Sequence, residues 1–342
     1  MLKSDFYYDL PEELIAQTPV EPRDSSKLMV VNRKTGSVTH DRFYNIADHL
    51  NKGDLLIIND SKVFPARLIG VKQNKSLSNI EVEFLLLEAK DDSALVWETM
   101  VHPGRRLKKG AIVEFEAGVS AEILETVNDG NRLVRFNYDG DFYELLDRIG
   151  NMPLPHYITQ KLENNDRYNT IYADDNKIGS AAAPTAGLHF TDNVFESLAN
   201  KGIETARVTL HVGIGTFRPV KTENIEEHKM HSERFILPEE TAEKIHRCKS
   251  RGGRVVAVGT TACRVLESGE IKPRSGNTDI FITPGYQFKT MDALMTNFHL
   301  PESTLLMLVS AFCGRENALA AYKEAIRERY RFFSFGDSML IL

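Results

Sequence analysis

Cysteine is scarce in this sequence. Cys248, Cys263 and Cys313 are the only three among 342 residues, they stand far apart, and none belongs to a C-x-x-C pair. That spacing excludes a disulfide framework and a zinc ribbon, and buried thiols are the expectation. Long apolar runs are missing too, with nothing approaching the roughly 20 consecutive apolar residues that span a bilayer. The opening MLKSDFYYDLPEEL carries acidic residues where a secretory signal needs a basic end and an apolar stretch, so a cytoplasmic protein with no membrane partner is expected. Positive charge is not in excess. A net charge of −6 argues against sequence-wide affinity for nucleic acid, which rests on neutralising phosphates with Lys and Arg. The phosphate-cradling Gly-x-x-x-x-Gly-Lys-Ser/Thr and the metalloprotease His-Glu-x-x-His are both absent. The stretch VGIGTF lacks the third glycine and the following helix of a dinucleotide fingerprint.

What is present reads as two textures. KLMVVNRKTGSVTH is an extended pair about a turn, NIADHLNKG a short helix closed by Gly53, and DLLIIND a buried strand. From Pro65 onward come short β-rich runs, ARLIGV, IEVEFLLLEA, ALVWETMV, AIVEFE, SAEILETV and RLVRFNY, the pattern of a small antiparallel barrel; KQNKSLSN (72–79) reads as a mobile hairpin tip. After the helical DFYELLDRIG, helices (TDNVFESLANKG, PEETAEKIHRCKSRGG) alternate with strands (ARVTLHV, RVVAVG, DIFIT, ALMTNF). The expected fold is therefore α/β: a mixed-sheet domain over 1–64 and 150–342, with an inserted antiparallel β-barrel over 65–149. Two local basic runs stand out, HPGRRLKKG with Arg105, Arg106 and Lys108, and RERYRFF with Arg329 and Arg331; solvated faces are their bland reading.

In open α/β sheets ligands gather beyond the carboxyl ends of strands, and four segments place polar residues or glycine there. In ETARVTLHVGIGTFRP, Arg207, Thr209 and His211 share one strand face, and His211 precedes a Gly213-x-Gly215 turn. RVVAVGTTACRVLES puts Thr260 and Thr261 at a helix start, where free N–H groups and the two hydroxyls suit a carboxylate, a phosphate or a ribose hydroxyl, although Thr is also a plain N-cap and the motif taken singly is a weak signal. ALMTNFHLPESTLLMLV repeats the design with Thr296, Asn297 and His299 before a helix opened by Pro301. SAAAPTAGLHFT offers small residues that let a backbone lie against a flat ligand, ending in His189 and Phe190. IEEHKMHSERF adds His228 and His231 beside Glu233, a spacing that suits a divalent metal or a proton-transfer site.

Over almost its whole length the chain resembles the S-adenosylmethionine:tRNA ribosyltransferase-isomerase family of queuosine biosynthesis. The resemblance rests on PEELIAQTPVEPRDSSKLMV, GDLLIINDSKVFPARL, VHPGRRLKKG, MPLPHYI, AAPTAGLHFT, VTLHVGIGTFRPV, EEHKMHSERF, RGGRVVAVGTT, TNFHLPESTLLMLVSAF and RYRFFSFGD, in order. It implies an α/β domain with an inserted barrel, and transfer and isomerisation of the ribosyl moiety of S-adenosylmethionine onto 7-aminomethyl-7-deazaguanine at the tRNA wobble position, with adenine and methionine leaving. S-adenosylmethionine would be a co-substrate, and neither a cofactor nor a metal is implied. Such chemistry needs a base beside the sulfonium and a proton for adenine, for which His189, His211 and His231 are candidates, with Asp60 and Glu233 as orienting or charge-balancing carboxylates. Substrate contacts would fall to Thr185, Gly187, Phe190, Thr209, Gly213, Gly215, Phe217, His228, Thr260, Thr261, Asn297 and His299, Phe190 or Phe217 stacking on adenine. Arg105, Arg106, Lys108, Arg329 and Arg331 would meet tRNA. Two rivals remain: a metal hydrolase using His228, His231 and Glu233, and a non-catalytic RNA-binding barrel protein.

Overall fold

In a computed structural model of the chain, residues 1–73, 79–91, 93–127, 130–160, 162, 164–213 and 220–342 are described. The hairpin tip expected at 72–79 lies largely outside them. In chain order the elements are β1 (Lys27–Val31), β2 (Val38–Arg42), β3 (Leu55–Asn59), β4 (Lys62–Val63), β5 (Arg67–Lys72), β6 (Ile80–Ala89), β7 (Val96–His102), β8 (Ile112–Glu114), β9 (Ser120–Thr126) and β10 (Arg132–Asn137). There follow α1 (Phe142–Ile149), β11 (Ile178–Ser180), α2 (Asp192–Asn200), β12 (Glu204–Leu210), β13 (Glu233–Leu237) and α3 (Glu239–Ser250). Last come β14 (Val255–Val258), α4 (Gly259–Glu267), β15 (Arg274–Thr278), β16 (Ala293–Asn297), α5 (Thr304–Cys313), α6 (Arg315–Arg327) and β17 (Ser338–Ile341).

The chain divides into two compact units, Met1–Ser61 with Pro155–Lys177 and Ala183–Leu342, and Lys62–Leu154 with Ile178–Ala182. The first holds a nine-stranded mixed sheet in the order β15-β13-β12-β3-β14-β16-β17-β1-β2. β12, β3, β14 and β16 run parallel. The centre of this sheet explains why DLLIIND reads as uninterrupted apolar residues: β3 is flanked on both sides and all five of its residues are buried. Leu56 and Ile58 join Phe43, Phe190, Val194, Leu198 and Val256 in one core cluster. The edge strand β2 is polar instead, with Thr39, His40 and Arg42 exposed, which discourages edge-to-edge pairing.

The second unit contains a closed barrel in the order β10-β7-β6-β5-β8-β9, the six β-rich runs of the sequence. Its interior is aromatic, with Phe84 and Phe115 edge to face at 5.2 Å and Trp97 and Phe136 packed on Phe142 of α1. Gly70 is required there, because a Cβ on it would stand 2.7 Å from the Phe115 ring. The short parallel pair β4–β11 brings Ile178–Ser180 back to the start of the inserted segment, so this unit is built from two stretches of chain.

Three local expectations change. The segment after β2 is a 3-10 helix, Phe43–His49, that ends before Gly53. DIFIT is not a strand: Arg274–Thr278 just upstream pairs antiparallel with β13, and the Thr278 hydroxyl oxygen accepts the Ile280 N–H as the chain leaves the sheet. Pro301 does not open α5, which begins at Thr304 with the Ser303 hydroxyl accepting the Leu306 N–H.

Candidate functional site

The four parallel strands end on one side of the sheet. Asn59 closes β3 and Leu210 closes β12, and the two ends are locked together: the Asn59 side chain accepts the Leu210 N–H at 2.9 Å and donates to its carbonyl at 3.0 Å. β14 passes directly into α4 through Gly259, and β16 ends at Asn297. Because β17 runs antiparallel to β16 with Ser338 opposite Asn297, and Leu28 of β1 lies opposite Ser338, Ser26 and Asp337 reach the same edge. β13 runs against β12 with Phe235 opposite Leu210, which carries Glu233 there as well. The carboxyl edge thus gathers His189, Asp60, His211, Glu233, Thr260, Thr261 and Asn297 from six separate stretches of sequence.

His189 closes a 3-10 turn, Thr185–His189, and is buried with both ring nitrogens engaged. The Asn297 side-chain nitrogen donates to the Phe333 carbonyl at 3.2 Å, which identifies it as the amide N, so His189 Nε2, also at 3.2 Å, is its acceptor. Nδ1 then carries the proton and donates to Ser26 Oγ at 2.7 Å. Burial, reinforced by the positive charges of Arg331, Arg167 and Arg23, pushes its pKa down to about 3. His299 is equally constrained: Nε2 lies 2.9 Å from Thr296 Oγ1, its N–H donates to the Tyr322 hydroxyl, its carbonyl accepts from the Tyr8 hydroxyl, and burial lowers its pKa to about 3. Both imidazoles are neutral framework groups.

His211 differs. Its N–H is tied to the Arg234 carbonyl at 2.9 Å, but its buried Nδ1 has no partner among the described residues. Burial, then Arg234 and Lys177, lowers its pKa to about 4. Asp60 follows β3 and accepts from Thr209 Oγ1 at 2.7 Å; burial raises its pKa against the opposing pull of that bond and of Lys177 and Arg207. Glu233, 4% exposed, pairs with Arg264 of α4 and accepts the Gly213 N–H at 2.9 Å, so it fixes the start of the glycine turn. His228 and His231 precede β13; burial and then the neighbouring His231 lower the pKa of His228, whose ring meets Phe281 edge-on at 5.2 Å. Among the described residues no group of three or more His, Cys, Asp or Glu side chains is arranged to hold a metal ion. The buried hydroxyl of Thr261, at the start of α4, has no partner among the described residues. The Tyr172 hydroxyl and Asn297 Oδ1 share that state. Buried polar atoms normally find partners, so several orphans at one edge mark a place for a polar ligand.

Some expected contacts fall elsewhere. Phe190 is fully enclosed, stacked on Phe195 at 5.1 Å and edge-on to Phe43, and has no face for adenine. Gly187 does not open a ligand surface: a Cβ there would collide with the Tyr172 hydroxyl, so the glycine makes room for that ring. Arg331 is turned inward, its guanidinium donating to the Thr18 carbonyl and its N–H to Asp337. Thr185 is half-buried at the head of its turn, and Gly215 and Phe217 lie outside the described residues. Arg329 is exposed in the first unit; Arg105, Arg106 and Lys108 are exposed on the barrel, where Arg132 donates to the Gly104 and Leu107 carbonyls at 2.7 and 2.8 Å and braces their turn. Tyr172, Arg264 and Ser26 were not anticipated. Each lies in a stretch whose residues also read as ordinary core or cap, and only the fold brings them to this edge.

A mixed sheet that collects buried, unpartnered polar groups beyond its parallel strand ends defines an α/β ligand-binding protein with a second, barrel unit. The sequence matches the family described as queuosine biosynthesis protein over residues 3–341, and the chain belongs to that family. It is 57% identical over 347 residues to the S-adenosylmethionine:tRNA ribosyltransferase-isomerase of Acetivibrio thermocellus, with 100% of both chains covered. It is 52% identical to the protein of the same name in Clostridioides difficile, again with 100% of both covered. The crystal structure of S-adenosylmethionine tRNA ribosyltransferase from Thermotoga maritima is 42% identical, covers 99% of this chain and 100% of that one, and superposes with a TM-score of 0.57. Among the described residues no helix is long and apolar enough to cross a membrane.

Proposed function

We propose that this chain is a cytoplasmic enzyme that moves the ribosyl moiety of S-adenosylmethionine to the aminomethyl group of 7-aminomethyl-7-deazaguanine at the wobble position of tRNA. It isomerises the sugar to the epoxycyclopentane of epoxyqueuosine and releases adenine and methionine. The observation that carries the reading is end-to-end identity above half with two proteins of that name. The carboxyl edge supports it by supplying groups the chemistry needs.

A proton must leave the carbon beside the sulfonium, which that positive charge acidifies. His211 is the candidate to accept it, because its buried Nδ1 has no partner among the described residues and burial with nearby cations keeps the ring neutral at neutral pH; the same burial weakens it as a base, which the acidity of the carbon beside the sulfonium has to offset. His231, half-buried beside His228, is the candidate that delivers a proton to departing adenine. His189 acts through Asn297, whose amide it orients with a fixed tautomer. Glu233, neutralised by Arg264, positions Gly213 rather than carrying protons. The N–H groups and Thr261 hydroxyl at the start of α4 suit the methionine carboxylate. The braced basic turn of the barrel and Arg329 suit tRNA phosphates. No step calls for a cofactor or metal. The test is adenine release from S-adenosylmethionine, with and without tRNA bearing the precursor base, before and after chelator treatment. Release that depends on the tRNA and survives chelation is expected; tRNA binding without adenine release refutes the reading.

A further inference from the structure

Buried tyrosines in this protein generally spend their hydroxyls inside it. Tyr322 receives the His299 N–H, and Tyr330 meets His40 Nδ1 at 2.8 Å. Tyr172 is the exception that bears on the site: only 7% exposed, its hydroxyl has no hydrogen-bond partner among the described residues. Its ring is held edge-on by Phe190 and Phe195, at 6.3 and 5.8 Å, and its hydroxyl stands against the Gly187 backbone with the Thr170 methyl alongside. The group is rigidly placed and unsatisfied, which costs stability unless something else completes it.

Asp60 lies close to it in the fold: the N–H of Asp174, two residues on from Tyr172, donates to the Asp60 carbonyl at 3.0 Å. The carboxylate raises the Tyr172 pKa further after burial has done so, keeping the phenol a proton-bearing donor. Asp60 accepts one bond from Thr209 and has lone pairs to spare. The Tyr172 hydroxyl has no hydrogen-bond partner among the described residues, Asp60 included, which leaves a donor and an acceptor near the end of the central strand.

We propose that Tyr172 and Asp60 form the subsite for the ribosyl hydroxyls of the sulfonium substrate, the phenol donating to one hydroxyl oxygen and the carboxylate accepting from a hydroxyl. This assignment rests on the function proposed above and deepens it. A sugar diol offers both an oxygen acceptor and an O–H donor within one small unit, which matches a fixed donor beside a fixed acceptor. An adenine edge also offers a donor beside an acceptor, but it needs a ring face to lie on. Around this hydroxyl, Phe190 is enclosed and stacked on Phe195, and the bordering atoms are glycine backbone and a methyl group. The hydroxyls are the better match.

The experiment compares Tyr172→Phe and Asp60→Asn with the unaltered protein, using S-adenosylmethionine and its 2′-deoxy and 3′-deoxy analogues and reading kcat/KM for adenine release. Tyr172→Phe should retain or raise the melting temperature, because it deletes an unsatisfied buried hydroxyl, while lowering kcat/KM roughly tenfold with the full substrate. One deoxy analogue should cost the unaltered protein a similar factor and cost Tyr172→Phe little more. Losses that multiply for both analogues in both variants overturn the subsite, as does a loss in Tyr172→Phe that appears only with substrates altered on the adenine edge. If the unaltered protein turns over normally, such results leave the function standing and remove only this assignment. If it releases no adenine, the function falls and the subsite with it.

Discussion

The two enclosed imidazoles make stability depend on acidity in a calculable way. His189 and His299 have an ordinary value of 6.5 when exposed and about 3 when folded, so folding keeps them neutral and unfolding lets them take up protons. Their contribution is fully present above pH 6.5 and is lost as pH falls toward 3. At pH 5 each costs about 2 kcal/mol relative to neutral pH, roughly 4 kcal/mol together, and at pH 7.5 each costs only about 0.1. That is a large part of the roughly 5–15 kcal/mol by which domains are stable. His189→Gln keeps a donor and an acceptor but removes one proton site, so the loss between pH 7.5 and 5 should shrink by about 2 kcal/mol. Urea unfolding followed by far-ultraviolet circular dichroism measures it; fluorescence would report the barrel, where the single tryptophan, Trp97, is buried. An identical pH-dependent loss in His189→Gln and the unaltered protein refutes the claim that His189 is held neutral by its surroundings.

Four further outcomes are expected. Arg264→Ala removes the cation paired with the buried Glu233 carboxylate and should destabilise the protein by about 3–5 kcal/mol in urea titrations, with Glu233→Gln in the same chain recovering part of it. Gly187→Ala drives a methyl into the Tyr172 hydroxyl and should lower the melting temperature, and adding Tyr172→Phe should restore some of that loss but not all, because the ring carbon behind the hydroxyl lies 2.9 Å from the new atom. His211→Ala should abolish adenine release without unfolding, while the unaltered protein keeps its acid limb of kcat/KM near pH 4 rather than 6.5. Arg132→Ala, which unfastens the basic turn without removing Arg105 or Arg106, should weaken tRNA binding severalfold in a filter assay and leave the KM for S-adenosylmethionine unchanged.

The barrel and the sheet centre were legible because their strands state their environment in composition: β3 is apolar throughout, and β5 to β10 are short β-rich runs cut by turn residues. RSGNT as a strand was not legible. It carries no apolar residue, and its strand character comes wholly from pairing with β13, whereas DIFIT has the right composition but no ladder partner among the described residues. The site divides the same way. Histidines and glycines before helices mark the carboxyl edge, but what each group can do depends on neighbours far away in the chain. Ser26 and Asn297 engage both ring nitrogens of His189, and Arg264 pairs with Glu233, and none of these partners is near them in the sequence. Phe190 reads equally well as a stacking platform or as core, and only its packing on Phe43 and Phe195 decides for core.

The position of β17 has a consequence for how the protein is made. Ser338–Ile341 lies between β16 and β1, so the β1–β2 hairpin, synthesised first, has no place in the sheet until the last strand of the chain arrives. The residues just ahead of β1 are tied directly to the segment around His189, with Arg23 donating to the Asn169 carbonyl at 2.8 Å and the Thr191 hydroxyl to Asp24 at 2.6 Å, so the sheet pairing of the hairpin, rather than the Ser26–His189 contact, is what has to wait. During translation the β1 edge of the early hairpin stays unpaired until β17 has been made.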